Sequence, residues 1–194
     1  MPLPSPDLQR QLMHTRTISI AAYLRADQCW DLEAHITDIK THDAKMAFGV
    51  RPAGIPIHDL WLRITIDPLF MIVAADAAAE QIPFPGFCAD IHPAYSEKLV
   101  GKSLQQGFRR ALQESLGGVL GCTHLTELAQ VLPTAAMQAM AGAPTAKDEA
   151  RGEPEKEHKQ PFHIDNCHAM RADGAAVAKF YPRWASKTTS PLVK

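Results

Sequence analysis

The chain has 194 residues, of which 46% are hydrophobic and 21% are charged, and its formal net charge at pH 7 is -1. This length is enough for one domain whose core needs no disulfides, and the lack of basic excess argues against binding to nucleic acid or to an anionic membrane. Because no apolar run reaches the roughly 18 residues that span a bilayer and the N-terminus lacks a signal-peptide pattern, we expect a cytoplasmic protein with reduced cysteines.

Two β-hairpins are predicted in the first half of the chain. Residues 1–16 contain three prolines and are interpreted as an extended arm. The runs "TISIAAYL" and "CWDLEAHITDIK" have the β-branched and aromatic content of paired strands, and "HDLWLRITID" with "FMIVAADA" forms a second pair. The segment between the pairs, "THDAKMAFGVRPAGIP", is predicted to be a loop. In the second strand, alternation assigns one face to Trp30, Leu32, Ala34, Ile36 and, beyond them, Ile39.

The second half of the chain has helical periodicity. Apolar residues recur at steps of three and four between residues 92 and 118, where Gly101 is expected to divide the segment into two helices. A further helix is predicted from Thr123, a candidate N-cap, and Pro133 either kinks or divides it. The charged, proline-containing residues 143–161 are predicted to be a disordered linker, and residues 162–194 to dock on the domain at 17–142. The expected fold is α+β, with about four antiparallel strands covered on one face by three or four helices.

Two cysteines precede predicted helices. Cys88 follows the loop "PFPGF", and Cys122 lies in "GCTHLTEL". Backbone N–H groups at a helix start favour a thiolate, so both residues are candidate metal ligands, and Cys122 is also a candidate nucleophile. The alternative is that both are small buried apolar residues, which free cysteines usually are. Cys29, between the strands of the first hairpin, is interpreted as structural.

Histidines and carboxylates near these cysteines extend the candidate site. His124, two residues after Cys122, is predicted either to bind the same ion or to act as a base, and Glu127 lies on the same helical face, where it would orient His124. His58 and Asp59 lie where a loop meets a strand, and are predicted to reach a site at the end of the sheet.

A third group of metal-competent residues follows the predicted linker. The run "HIDNCH" holds four of them within six residues, and its members Cys167 and His168 are candidate metal ligands. The chain contains no C-x-x-C pair, no P-loop, no dinucleotide fingerprint and no serine-hydrolase pattern.

The segments "AGIPIHDLWLRITID", "GFCADIHPAYSEKLVGKSLQQGF" and "LGCTHLTELA" resemble, in order, parts of the NifU, IscU and SufU family of iron–sulfur scaffold and sulfur-relay proteins. The resemblance covers about residues 52–141 and implies a SufE/NifU-like fold. It assigns Asp59, Cys88 and Cys122 to the ligand positions of that family, while Ile57 occupies the place of its first cysteine. The whole chain is also similar to a bacterial family of domains of unknown function.

Together these features predict a protein that binds zinc or an iron–sulfur cluster through Asp59, Cys88 and Cys122. His58, His124, Cys167 or His168 would complete the site. The resemblance implies sulfur transfer or metallocofactor maturation, with a sulfur donor or a client metalloprotein as partner. Two other functions stay open: a small zinc-dependent hydrolase or lyase, and an interaction module without chemistry.

Overall fold

A computed structural model describes residues 3–47, 49–105, 107–141, 160–161 and 163–186. By its internal contacts the chain divides into two compact units, Met1–Gly142 and Ala143–Lys194. The predicted linker 143–161 lies outside the described residues except for its last two positions.

The first unit contains a four-stranded antiparallel sheet. Its strands are β1 (His14–Leu24), β2 (Trp30–Lys40), β5 (Pro56–Ile66) and β6 (Ile72–Gln81), and they lie in the order β1-β2-β5-β6. The predicted α+β class and the four predicted strands are therefore confirmed. β1 begins at His14, inside the segment interpreted as an arm.

A further, short hairpin lies within residues 41–56, the segment predicted to be a loop, so that prediction is wrong there. The strands β3 (Ala44–Met46) and β4 (Gly49–Arg51) pair with each other. Ala44 is buried and anchors the hairpin. Gly49 has a φ of 127°, a conformation that residues with side chains rarely adopt, and this allows the chain to reverse.

Three α-helices follow the sheet in the described residues of the first unit. They are α1 (His92–Leu99), α2 (Phe108–Leu116) and α3 (Thr123–Met140). Gly101 separates α1 from α2, as predicted, with a φ of 82°. The N-cap of α3 is Cys122 and not Thr123, which is already the first helical residue, and α3 continues through Pro133 as one helix. Of the two predicted alternatives at Pro133, the division is therefore wrong, and the kink stays a prediction.

The second unit is described at residues 160–161 and 163–186. It contains α4 (Ala175–Phe180), preceded by the 3-10 turn His168–Met170 and followed by the 3-10 turn Pro182–Trp184. Docking of residues 162–194 onto the first unit stays a prediction.

The core lies between one face of the sheet and the helices α1, α2 and α3. Alternate residues of β2 and β5 are buried on this face, because side chains of successive strand residues point to opposite sides. The largest fully buried side chains include Leu32, Ile36, Leu62, Ile64, Tyr95, Leu99, Leu112 and Leu116. Within the described residues, no helix is both long and apolar enough to cross a membrane.

Candidate metal centre

Three polar side chains form a row across β1, β2 and β5 at one end of the sheet. Arg16 is paired with Asp38 in the register of β1 and β2, and Asp38 is paired with His58 in the register of β2 and β5. Asp38 continues the series Leu32, Ala34 and Ile36, so it lies on the face that the helices cover. The row therefore places a carboxylate at the edge of the apolar core, where only 3% of the residue is exposed.

The start of α3 adds His124, in its first turn, and Glu127, one residue beyond that turn, above this row. The start of α3 is held by Tyr95, whose buried hydroxyl accepts a hydrogen bond of 2.8 Å from the Cys122 N–H and lies 2.8 Å from the Thr126 hydroxyl. Thr126 in turn donates to the Leu116 carbonyl at 3.0 Å. These bonds tie α3 to α1 and α2, so the position of His124 follows from the packing of the helices.

The ligand atoms of Asp38, His58 and His124 all lie within 4.8 Å of one another. Asp38 Oδ2 is 3.0 Å from His58 Nδ1 and 3.6 Å from His124 Nε2. The two imidazole rings are 3.7 Å apart between centroids, with an angle of 32° between their planes. Two imidazole nitrogens and one carboxylate oxygen therefore lie close together at one end of the sheet.

Asp38 also receives hydrogen bonds from outside this group of three. Arg16 donates from Nε to Oδ1 and from Nη2 to Oδ2, both at 2.8 Å, and His14 Nε2 lies 2.8 Å from Oδ1. The remaining terminal nitrogen of Arg16, Nη1, donates to Glu127 at 2.6 Å. Arg16 thus connects the carboxylate of β2 to the carboxylate of α3.

These surroundings set the protonation of the three candidate ligands at neutral pH. Burial raises the pKa of Asp38, but the hydrogen bonds and charge of Arg16, with the hydrogen bond of His14, outweigh it and bring this pKa to about 2. Burial lowers the pKa of His58 below its usual 6.5, helped by the charges of His124 and Arg16. The pKa of His124 is lowered by burial and by Arg16. At pH 7 the carboxylate is ionised and both imidazoles are neutral, as metal binding requires.

This pattern predicts that the metal-free protein loses stability in two stages as the pH falls. Below pH 6.5 the unfolded chain takes up protons on two histidines whose protonation the folded state resists, so stability declines. The contribution of Asp38 is complete above pH 3.8 and is lost as the pH falls to about 2. A shift of this size corresponds to about 2 kcal/mol. Urea unfolding in the presence of a chelator measures this pH dependence, and a D38N variant should lack the second stage. If D38N loses as much stability between pH 3.8 and about 2 as the parent chain, the second stage does not belong to Asp38.

Asp59, the predicted carboxylate ligand, lies on the opposite face of the sheet from His58, because the two residues are neighbours in one strand. Its carboxylate is 2.7 Å from His35 Nε2, and the His35 ring stacks on Trp61 with centroids 3.8 Å apart. The structure thus brings together His58 and His124, two of the residues predicted as alternative ligands, and the carboxylate beside them is Asp38, whereas Asp59 lies on the other face.

The two cysteines are not members of the group formed by Asp38, His58 and His124. Cys88 is the N-cap of a three-residue 3-10 helix, Ala89–Ile91, and not of α1. Cys122 does precede α3, where it is half-buried and packs against the core. In the described part of the chain the expected convergence of both thiols with Asp59 is not seen. Each thiol stays a predicted ligand without a described set of partners.

The candidate residues of "HIDNCH" lie in the second unit. His168 contacts the Arg171 guanidinium, with 3.2 Å between Nδ1 and Nη1, and Cys167 is exposed. Asp165 accepts a hydrogen bond from the Ala172 N–H at 2.8 Å. These contacts are local, and a metal-binding role for Cys167 and His168 stays a prediction.

Two central residues of the site, Asp38 and Arg16, are missing from the sequence prediction. Glu127 is in the site as predicted, but it binds Arg16 where we expected it to orient His124. A signal for Asp38 exists in the alternation of β2, which places a carboxylate next in the series after Ile36. The predicted face continues to Ile39 instead of Asp38. The register of β2 and β5 shifts between these two residues.

A family model described as a protein of unknown function, DUF2889, matches residues 14–138, which is more than half of the chain. The chain belongs to this family. The match begins at the first residue of β1. It includes the three candidate ligands and the three residues around them, namely Asp38, His58, His124, His14, Arg16 and Glu127. No curated protein and no solved structure matches the chain. The predicted membership in a family of unknown function is confirmed, and the resemblance to the NifU, IscU and SufU proteins gains no support from these comparisons.

Proposed function

We propose that this DUF2889 protein binds a divalent transition-metal ion, most readily zinc, through Asp38, His58 and His124. Two ligands about 2.0–2.1 Å from one tetrahedral ion lie about 3.3 Å apart. The distances from Asp38 Oδ2 to the two imidazole nitrogens, 3.0 Å and 3.6 Å, lie on either side of that value. This agreement is the observation that carries the proposal.

The chemistry of the three side chains supports the same choice of metal. One carboxylate and two neutral imidazoles suit zinc and similar divalent ions, whereas iron–sulfur clusters are held mainly by thiolates. Arg16 and His14 hydrogen-bond to the Asp38 carboxylate from outside the group, which is the usual way in which a ligand is oriented around a metal. Each carboxylate oxygen has two lone pairs, so Oδ2 can accept from Arg16 and still bind an ion.

A zinc-dependent hydrolase or lyase is a second candidate function, and one specific observation favours it. The group offers three protein ligands, and three ligands with an open fourth position are typical of catalytic zinc sites, whereas structural sites use four. Glu127 lies beside the group and carries a carboxylate suited to acid–base chemistry.

The test is a zinc titration of the full chain, monitored by calorimetry and by elemental analysis after dialysis. We expect one equivalent of zinc, and a loss of affinity of more than about 100-fold in H58A and in H124A, since even changes to residues outside the ligand set cost 10–100-fold. The matched control is H35A, because His35, like His58, is a strand histidine beside an aspartate, but it lies on the opposite face of the sheet. Equal loss in H35A and H58A would contradict the proposal.

The cysteine site predicted from the sequence is tested in the same titration. If C88S and C122S abolish zinc binding while H58A and H124A retain it, the metal belongs to the cysteines and our proposal fails. If both cysteine variants keep one equivalent of zinc, the thiols are not required.

A further inference from the structure

The candidate metal centre has a buried base and an exposed rim. The Asp38 side chain is 5% exposed, and those of His58 and His124 are 18% and 19% exposed. Around them, the side chains of His14, Arg16 and Glu127 are 41%, 35% and 36% exposed. An ion held at the base would therefore be approached from the side on which Arg16 lies.

The charges of the site change sign when such an ion binds. Asp38 and Glu127 each carry a negative charge and Arg16 carries a positive one. A divalent ion leaves these groups with a net positive charge close to the surface. A positive site with an open coordination position and an adjacent guanidinium attracts anions and not cations.

Arg16 is also held in a geometry that can receive an anion. Three of its five N–H groups are directed to the carboxylates of Asp38 and Glu127, which fix the plane of the guanidinium. One N–H on each terminal nitrogen is left over from these bonds. A planar guanidinium with a donor left on each terminal nitrogen can hydrogen-bond to the oxygens of a carboxylate or phosphate group.

We propose, on the basis of the metal site proposed above, that the metal-loaded protein binds a small oxyanion, a phosphate or carboxylate group, between the ion and Arg16. One oxygen of the anion occupies the open position of the metal, and a second accepts hydrogen bonds from the guanidinium. The substrate or ligand of this site is thus a molecule that carries such a group.

The experiment uses the full chain loaded with cobalt at no more than one equivalent, because the visible spectrum of cobalt reports its coordination. Inorganic phosphate and acetate are titrated separately, with chloride at equal ionic strength as the reference. We expect a saturable spectral change with at least one of the two oxyanions. A change with phosphate alone identifies a phosphoryl ligand, and a change with acetate alone identifies a carboxylate ligand.

Variants of Arg16 separate this proposal from the metal proposal. R16Q should bind the responding anion about tenfold more weakly, which is the size expected for losing a charged hydrogen bond, while R16K should recover part of the affinity. R63Q is the matched control, since Arg63 pairs with Asp76 on the other face of the sheet.

The outcomes are distinct. If cobalt does not bind the parent chain, the metal site itself is wrong. If cobalt binds but neither oxyanion changes the spectrum, or R16Q responds like the parent while retaining cobalt, the oxyanion proposal is overturned and the metal site stands. Circular dichroism of R16Q checks that its fold is intact. If R16Q does not fold, the anion affinity of R16K is compared with that of R63Q, and equal affinities overturn the oxyanion proposal.

Discussion

Replacing Asp38 by asparagine is expected to lower the free energy of unfolding by about 3 kcal/mol and to abolish tight zinc binding. Asparagine keeps the volume of the side chain, but its NH₂ group replaces one of the two carboxylate oxygens, and Arg16 donates to both of them. The guanidinium then lies against a buried neutral amide, and Glu127 is its remaining carboxylate partner in the site. Removing one member of a buried ion pair typically costs about 3–5 kcal/mol, and we take the lower end because the Arg16 side chain is 35% exposed.

Urea unfolding without metal measures the stability effect, and calorimetry with zinc measures binding. D76N is the control, because Asp76 also pairs with an arginine but its side chain is 67% exposed. Its effect should stay below about 1 kcal/mol, the usual limit for a surface ion pair. If D38N lowers the free energy of unfolding by no more than D76N does, the Asp38 carboxylate is not the structural centre of the site.

Replacing Gly121 by alanine is the second change from which we expect a large effect, again about 3 kcal/mol. The φ of Gly121 is -153°, which any residue can adopt, so the requirement for glycine arises from space. A Cβ atom here would lie 2.2 Å from the Leu116 carbonyl oxygen and 3.0 Å from the Tyr95 hydroxyl. Inserting atoms into a packed region typically costs about 1–3 kcal/mol or more, and the nearest atom here belongs to the backbone.

The consequence should extend to the metal centre, because Tyr95 fixes the start of α3 through the Cys122 N–H. We expect G121A to weaken zinc binding by about tenfold, as found for changes that misplace ligands without removing them. V119A is the control, since Val119 lies in the same connection and is 99% exposed. Thermal unfolding and zinc titration measure both effects. A G121A protein with the stability of V119A would show that the α2–α3 connection does not position His124.

The fold was largely accessible from the pattern of apolar residues. Runs of β-branched and aromatic residues identified all four strands of the main sheet, with alternation of period two in β2, and steps of three and four residues identified the helices. The β3–β4 hairpin was not predicted, because three-residue strands are too short to show alternation. The N-cap of α3 was misassigned by one residue, because threonine is a preferred N-cap type and cysteine is not.

The candidate site was accessible only in part. His58 and His124 were predicted because histidines close to a strand start and a helix start are recognisable locally. Asp59 was assigned to the same site through a resemblance of sequence, but strand alternation directs it to the other face, where it meets His35.

By itself, the sequence determined the α+β class, the main strands and helices, and the chemical types available for a metal site, because these follow from local periodicity and residue identity. The tertiary structure alone decided that Asp38 is the carboxylate, that Arg16 and Glu127 meet across 111 positions of the chain, and that Cys88 and Cys122 are not in the group. The physical reason is strand register: Arg16, Asp38 and His58 become neighbours only when three strands pair, and no local pattern of residues states which rows of those strands will align.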